Sequence, residues 1–117
     1  MKKSLAGNQP MDEILFDEEG FLKNLDDWSD SVAESIAQAE AINLTDEHWQ
    51  IIELTRSFYQ RFERSPNMRA LVNYLKQNLP EQEKQKASSI YLLKLFPDSP
   101  AKRVCKIAGL PKPENCL

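Results

Sequence analysis

Glycine is scarce in this chain of 117 residues: only Gly7, Gly20 and Gly109 occur. Phosphate-cradling loops of the GxGxxG or GxxxxGK type need several closely spaced glycines, so nucleotide-binding enzymes of the common folds are excluded. Cysteine is scarce as well, with Cys105 and Cys116 alone. Two cysteines are too few for a disulfide-stapled secreted scaffold. Together with the single histidine, His48, they also fall short of the four ligands of a tetrahedral zinc site. No stretch approaches the ~20 apolar residues of a membrane helix, and no secretory h-region is present. A reducing cytoplasm is therefore the expected compartment, with no membrane, metal or cofactor involved. Hydrophobic residues make up 41% of the chain, enough for one domain with a modest core and no deep enzyme cleft.

What the chain does have is segregated charge. The net charge of −3 hides 13 acids against one base, Lys23, in residues 12–54, and 12 bases against five acids in residues 55–117. An anionic partner should prefer the C-terminal half. Residues 1–11 are polar and aperiodic and read as a disordered leader. A single domain is expected over 12–109, followed by a mobile C-terminal arm over 110–117.

The expected fold is mainly α, with a β element at its start: an orthogonal bundle of about five helices preceded by an N-terminal β-hairpin. Ile14 and Phe16 alternate with polar neighbours, and Asp17-Glu18-Glu19-Gly20 suits a hairpin turn with Gly20 left-handed. Helical spacing follows over 28–41, with Val32, Ile36 and Ala39 on one face. Thr45 then caps a helix over 46–64, whose two apolar stripes (Ile51, Leu54, Phe58, Phe62 and Trp49, Ile52, Tyr59) suggest a central position. Ser65-Pro66 opens a further helix that Pro80 ends. Residues 81–96 read as one helix, polar at its start and apolar at its end. Ser99-Pro100 opens a short last helix that stops at Gly109. The two prolines of LPKPENCL make the remainder a semi-rigid extended arm.

Cys116 is the penultimate residue of this sequence, on that arm. Such a position suits packing poorly, because ordering a chain end costs about 1–2 kcal/mol per residue in backbone entropy. The chemical alternative to an incidental surface cysteine is a thiol carried on an arm into another protein's active site. Cys105 shares a helical face with Ala101, Val104 and Ala108, which suits a core cysteine, while its distance from Cys116 leaves a resolving thiol open. Lys102, Arg103, Lys106 and Lys112 surround the two, facing only Glu114 and the terminal carboxylate. Nearby cations favour the reactive thiolate. They are equally at home on a solvated helix face that complements the helix C-terminus.

At this point the sequence resembles the DsrC/TusE family. The stretch Lys106-Ile107-Ala108-Gly109-Leu110-Pro111-Lys112-Pro113 with Cys116 beyond it looks like that family's C-terminal signature. Leu44-Thr45-Asp46-Glu47-His48-Trp49, Arg56-Ser57-Phe58-Tyr59 and Ser65-Pro66-Asn67-Met68-Arg69-Ala70-Leu71 match further. So do Tyr91-Leu92, Leu95-Phe96-Pro97 and Asp17-Glu18-Glu19-Gly20-Phe21-Leu22, and the likeness covers roughly residues 12–117. The resemblance implies a small helical fold with an N-terminal hairpin and a sulfurtransferase that carries persulfide sulfur on Cys116. In TusE-like members the sulfur comes from a TusBCD-type donor complex and goes to a tRNA thiouridylase for 2-thiolation of the wobble uridine. In DsrC-like members the arm enters dissimilatory sulfite reductase, and the equivalents of Cys105 and Cys116 act as a redox pair. The resemblance leaves both roles open; the tRNA relay is preferred as the more widespread, with a monomer expected for the chain alone.

Other groups read as structural. His48 beside Trp49 is expected to be a hydrogen-bonded first-turn histidine rather than an acid–base group. Trp28 and Trp49 are expected to be core aromatics with polar handles. A nucleic-acid-binding helical domain is the competing class, with Arg56, Arg61, Arg64 and Arg69 as phosphate contacts. The acidic pI of about 5.2 weighs against it. A third class, an adaptor that uses the arm only to dock, would keep its function without the Cys116 thiol.

Overall fold

The computed structural model describes residues 13–114. Five α-helices are present: α1 (Asp30–Ala39), α2 (Asp46–Phe62), α3 (Met68–Asn78), α4 (Ser89–Leu95) and α5 (Pro100–Ile107). Of two short 3-10 turns, Leu25–Asp27 precedes α1 and Glu81–Lys86 joins α3 to α4. No helix among the described residues is long and apolar enough to cross a membrane. The core is built from Val32 and Ile36 of α1, Ile51 and Ile52 of α2, Leu71 and Leu75 of α3, Leu92 of α4, and Val104, Cys105 and Ile107 of α5.

The expected N-terminal β-hairpin is not formed, and no strand exists among the described residues. The turn itself is there. Asp17 Oδ1 accepts from the amides of Glu19 and Phe21 at 2.9 and 2.8 Å, and Gly20 takes φ +90°. Around it only one antiparallel bridge forms, Phe16 to Leu22. The ladder ends there because Asn24 at once caps a 3-10 turn, its Oδ1 accepting from the Asp26 amide at 3.0 Å. A ribbon this short is not stable alone; Ile14, Phe21 and Leu22 bury themselves against the helices while Leu15 stays 63% exposed.

Two further boundaries differ from expectation. Asn67, not Ser65, caps α3, its Oδ1 accepting from the Ala70 amide at 2.9 Å. The Ser65 hydroxyl instead donates to the Pro111 carbonyl at 2.6 Å, and Pro66 is buried. Residues 81–96 are two elements rather than one helix, because Ser88 Oγ accepts from the Tyr91 amide at 3.1 Å and starts α4 afresh. The hub of the bundle is α5, which packs on α1, α2, α3 and α4, and α2 has α5 and α3 as neighbours, as its two apolar stripes suggest.

His48 ties α2 to α4. It is the third residue of α2 and completes a capping box with Thr45. The Thr45 backbone amide donates to His48 Nδ1 at 3.1 Å, so Nδ1 carries no proton. Nε2 lies 2.8 Å from the Leu95 carbonyl, which can only accept, so the proton sits on Nε2. With the Phe96 ring edge-on at 5.1 Å, both nitrogens are committed to holding the fold, as expected of a structural histidine. His48→Ala should lower the free energy of unfolding by about 1–3 kcal/mol in urea titration, through the lost cap and the stranded Leu95 carbonyl.

Candidate functional site at the end of the last helix

The site is assembled where α5 gives way to the C-terminal segment. Gly109 takes φ +76° as the left-handed residue past the helix. Its amide donates to the Lys106 carbonyl at 3.1 Å, and the Leu110 amide reaches back to the Cys105 carbonyl at 2.9 Å. These two bonds form a Schellman closure, with Leu110 buried beneath it. The next two carbonyls are met from far away in sequence. Trp28 Nε1 donates to the Ile107 carbonyl at 2.9 Å, and an Arg56 guanidinium nitrogen donates to the Ala108 carbonyl at 2.6 Å. The Arg56 guanidinium also lies 3.8 Å over the Trp28 ring. Burial pushes the Arg56 pKa down from its ordinary value, and the Asp30 carboxylate pulls it back up. The backbone approaches the indole so closely that a Cβ on Gly109 would overlap the Trp28 side chain.

Cys105 sits one turn inside this closure and is fully buried. Its Sγ lies 3.8 Å from the Pro66 carbonyl, at the entry to α3. Residues 111–114 run along a groove of about 450 Å³ whose other wall includes Tyr59, Arg64, Ser65 and Asn67. Pro113 is buried while Pro111, Lys112 and Glu114 are exposed. Cys116 and the leader over 1–11 lie outside the described residues.

Three of the four basic residues of α5 and the segment after it, Arg103, Lys106 and Lys112, meet carboxylates from the acidic half of the chain. Glu40, just past α1, receives Arg103 at 3.3 Å and Lys106 at 2.9 Å. Arg103 also faces Asp98 at 3.4 Å, and Lys112 faces Glu19 at 3.2 Å. Lys102 lies on α5 three residues before Cys105, half-buried. Of the arginines considered as phosphate contacts, Arg56 is committed to Trp28 and Ala108, and Arg61 lies 5.6 Å over the Phe62 ring. Arg64 and Arg69 are exposed. No cluster of three or more metal-ligating side chains occurs among the described residues.

The joint role of Trp28 and Arg56 was not apparent from sequence. Trp28 reads as a core aromatic and Arg56 as a surface cation. No periodicity links either to carbonyls 79 and 52 residues away. The clue lay in Gly109: a left-handed helix stop that also admits a neighbouring ring.

A bundle organised on a short last helix, with a buried cysteine near its end and a proline-containing segment leaving beside it, defines a small helical protein whose last helix leads into an extended segment. The comparisons with known proteins specify the kind. The DsrC-like protein family matches residues 9–117, and the chain belongs to that family. It is 47% identical over 105 residues to the sulfurtransferase TusE of Sodalis glossinidius, covering 90% of this chain and 94% of that protein. In structure it resembles DsrC of Allochromatium vinosum, with a TM-score of 0.79, 39% identity and coverage of 98% of this chain and 96% of that one. It also resembles the oxidised γ-subunit of dissimilatory sulfite reductase from Archaeoglobus fulgidus, with a TM-score of 0.74, 38% identity and coverage of 89% and 92%. The chain is accordingly a sulfurtransferase.

Two outcomes follow from this geometry. Gly109→Ala should destabilise the protein by about 1–3 kcal/mol, read as a fall in melting temperature, because the substitution combines a strained positive φ with overlap on Trp28. Cys105 should be alkylated slowly in the folded protein and rapidly in urea, as followed by peptide mass spectrometry.

Proposed function

We propose that the chain is a sulfur carrier that accepts a persulfide sulfur on Cys116 and relays it to a tRNA thiouridylase for 2-thiouridine synthesis at the wobble position. A TusBCD-like complex is the donor. The carrying observation is the 47% identity to a TusE sulfurtransferase over nearly the whole of both chains, against 38–39% to the two DsrC structures. In the first step the Cys116 thiolate attacks the outer sulfur of the donor persulfide. That sulfur's bond to the donor breaks, the donor leaves as a thiolate, and Cys116 becomes the persulfide. In the second step an acceptor thiolate takes the outer sulfur and returns Cys116 to the thiolate.

A second reading is supported by the presence of Cys105 and by the likeness to the sulfite reductase γ-subunit. In that reading the protein partners sulfite reductase subunits, and the Cys105 thiolate attacks the inner sulfur of the Cys116 persulfide. A Cys105–Cys116 disulfide forms and hydrosulfide leaves, the sulfane sulfur being the group reduced. The burial of Cys105 makes this step conditional on opening the contact with Pro66. Lys102, Arg103, Lys106 and Lys112 are assigned to partner docking in either case. Glu40 and Glu19 limit how far Arg103, Lys106 and Lys112 can stabilise a thiolate. The cytoplasm is the proposed setting.

Incubation with a persulfide donor, followed by intact-mass spectrometry, tests the assignment. Wild type and Cys105→Ser should gain one sulfur atom, Cys116→Ser should gain none, and Cys105→Ser should form no intramolecular disulfide. Retention of the adduct on Cys116→Ser would sink the proposal. Delivery of labelled sulfur to tRNA by a thiouridylase supports the first reading, and release of labelled hydrosulfide with a Cys105–Cys116 disulfide in the presence of sulfite reductase subunits supports the second.

A further inference from the structure

The end of α5 is closed more completely than helix termination requires. A helix leaves its last four carbonyls without intrahelical partners, and local turns or water normally meet them. Here the Cys105 and Lys106 carbonyls are met by the amides of Leu110 and Gly109, which already makes a full local stop. The Ile107 and Ala108 carbonyls then receive the Trp28 indole and the Arg56 guanidinium, two side chains from separate elements that also stack on each other. These are the last two carbonyls before Gly109, the residue about which the C-terminal segment would pivot.

We propose that Trp28 and Arg56 are positioning residues for sulfur transfer: by holding two successive carbonyls they fix the direction in which the C-terminal segment leaves the bundle. The inference rests on Cys116 being the carrier, as proposed above. One bond at this point would leave the segment free to swing about it. Two bonds to adjacent peptide units, braced by the guanidinium stacked on the indole, fix its orientation. Ser65, bound to the Pro111 carbonyl, continues the same track four residues past Ile107. A sulfur that must reach a pocket on a partner gains from such prior orientation, because misplacing a reacting group by about 1 Å can cost as much as 100-fold in rate. The burial of a guanidinium, which pushes the Arg56 pKa down, is what this arrangement costs the fold.

Trp28→Phe keeps the ring and removes the donor, and Arg56→Lys keeps the charge and removes the planar fork. Both are made in the full chain and compared with wild type by two measurements. The first is the amide heteronuclear NOE, expected to fall at Gly109, Leu110 and Lys112 while the core helices stay unchanged. The second is single-turnover transfer of sulfur preloaded on Cys116. Transfer to a small thiol should be unchanged, whereas transfer to a tRNA thiouridylase should fall by about tenfold. A role confined to stability would lower the melting temperature and leave both the NOE values and the protein-to-protein rate intact, and that result overturns the inference. Equal losses to the small thiol and to the protein acceptor also overturn it. A wild-type chain that takes up no sulfur at all refutes the carrier reading, and this inference with it.

Discussion

The last four carbonyls of α5 each have a donor, two from the residues that follow and two from Trp28 and Arg56. The rest of the structure depends on this closure. It lets an eight-residue helix, too short to be stable on its own, serve as the element on which the other four α-helices pack. It sets the turn at Gly109, and so the course of residues 111–114 along one wall of the groove. It also fixes how deeply Cys105 lies, since the Cys105 carbonyl is one of the four.

Much of this was legible in the amino-acid order. Gly109 with Pro111 beyond it marked a left-handed helix stop. Thr45 marked the start of α2, and the apolar stripe of Ala101, Val104, Cys105 and Ala108 marked a buried face. The hairpin was misread because alternation at Ile14 and Phe16 is a local pattern, whereas extending a ladder needs length on both sides, and Asn24 ends it. The split of residues 81–96 turned on whether Ser88 caps or merely follows, and its Oγ takes the Tyr91 amide. Ser65-Pro66 resembled a helix start, yet the serine is drawn to Pro111 and the start falls to Asn67. At Asn24 and Ser88 a local cap won over the extended pattern, and at Ser65 a long-range partner claimed the hydroxyl.

The site followed the same rule. Cysteine position and the family's motifs pointed to the thiols, and the packing of Cys105 agrees with its periodicity. The basic residues could be counted in sequence but their partners could not. Glu40 lies 66 residues from Lys106 and takes up two of the charges that a reading of the C-terminal half alone would direct at sulfur. The electrostatics near Cys105 are thus decided by a residue from the opposite half of the chain, as the hydrogen bonding at Ala108 is decided by Arg56.

Those cross-chain ion pairs bear on how the molecule comes together. The acids and bases are sorted into opposite halves of the sequence, and the pairs that join them span 63, 66 and 93 residues. Contacts of such separation are the slow ones to make, because a long loop must close before they give anything back. Sorting the charge relieves part of that burden: before any specific contact exists, the two halves attract each other and each repels itself. The pull acts over about one Debye length, roughly 8–10 Å at ordinary ionic strength. It therefore operates only in the last stage of approach, when register between the early turn and the late helix is chosen. The segregated charge therefore meets itself within the fold, Glu40 and Glu19 of the acidic half against Arg103, Lys106 and Lys112 of the basic half, whatever it offers to a partner besides.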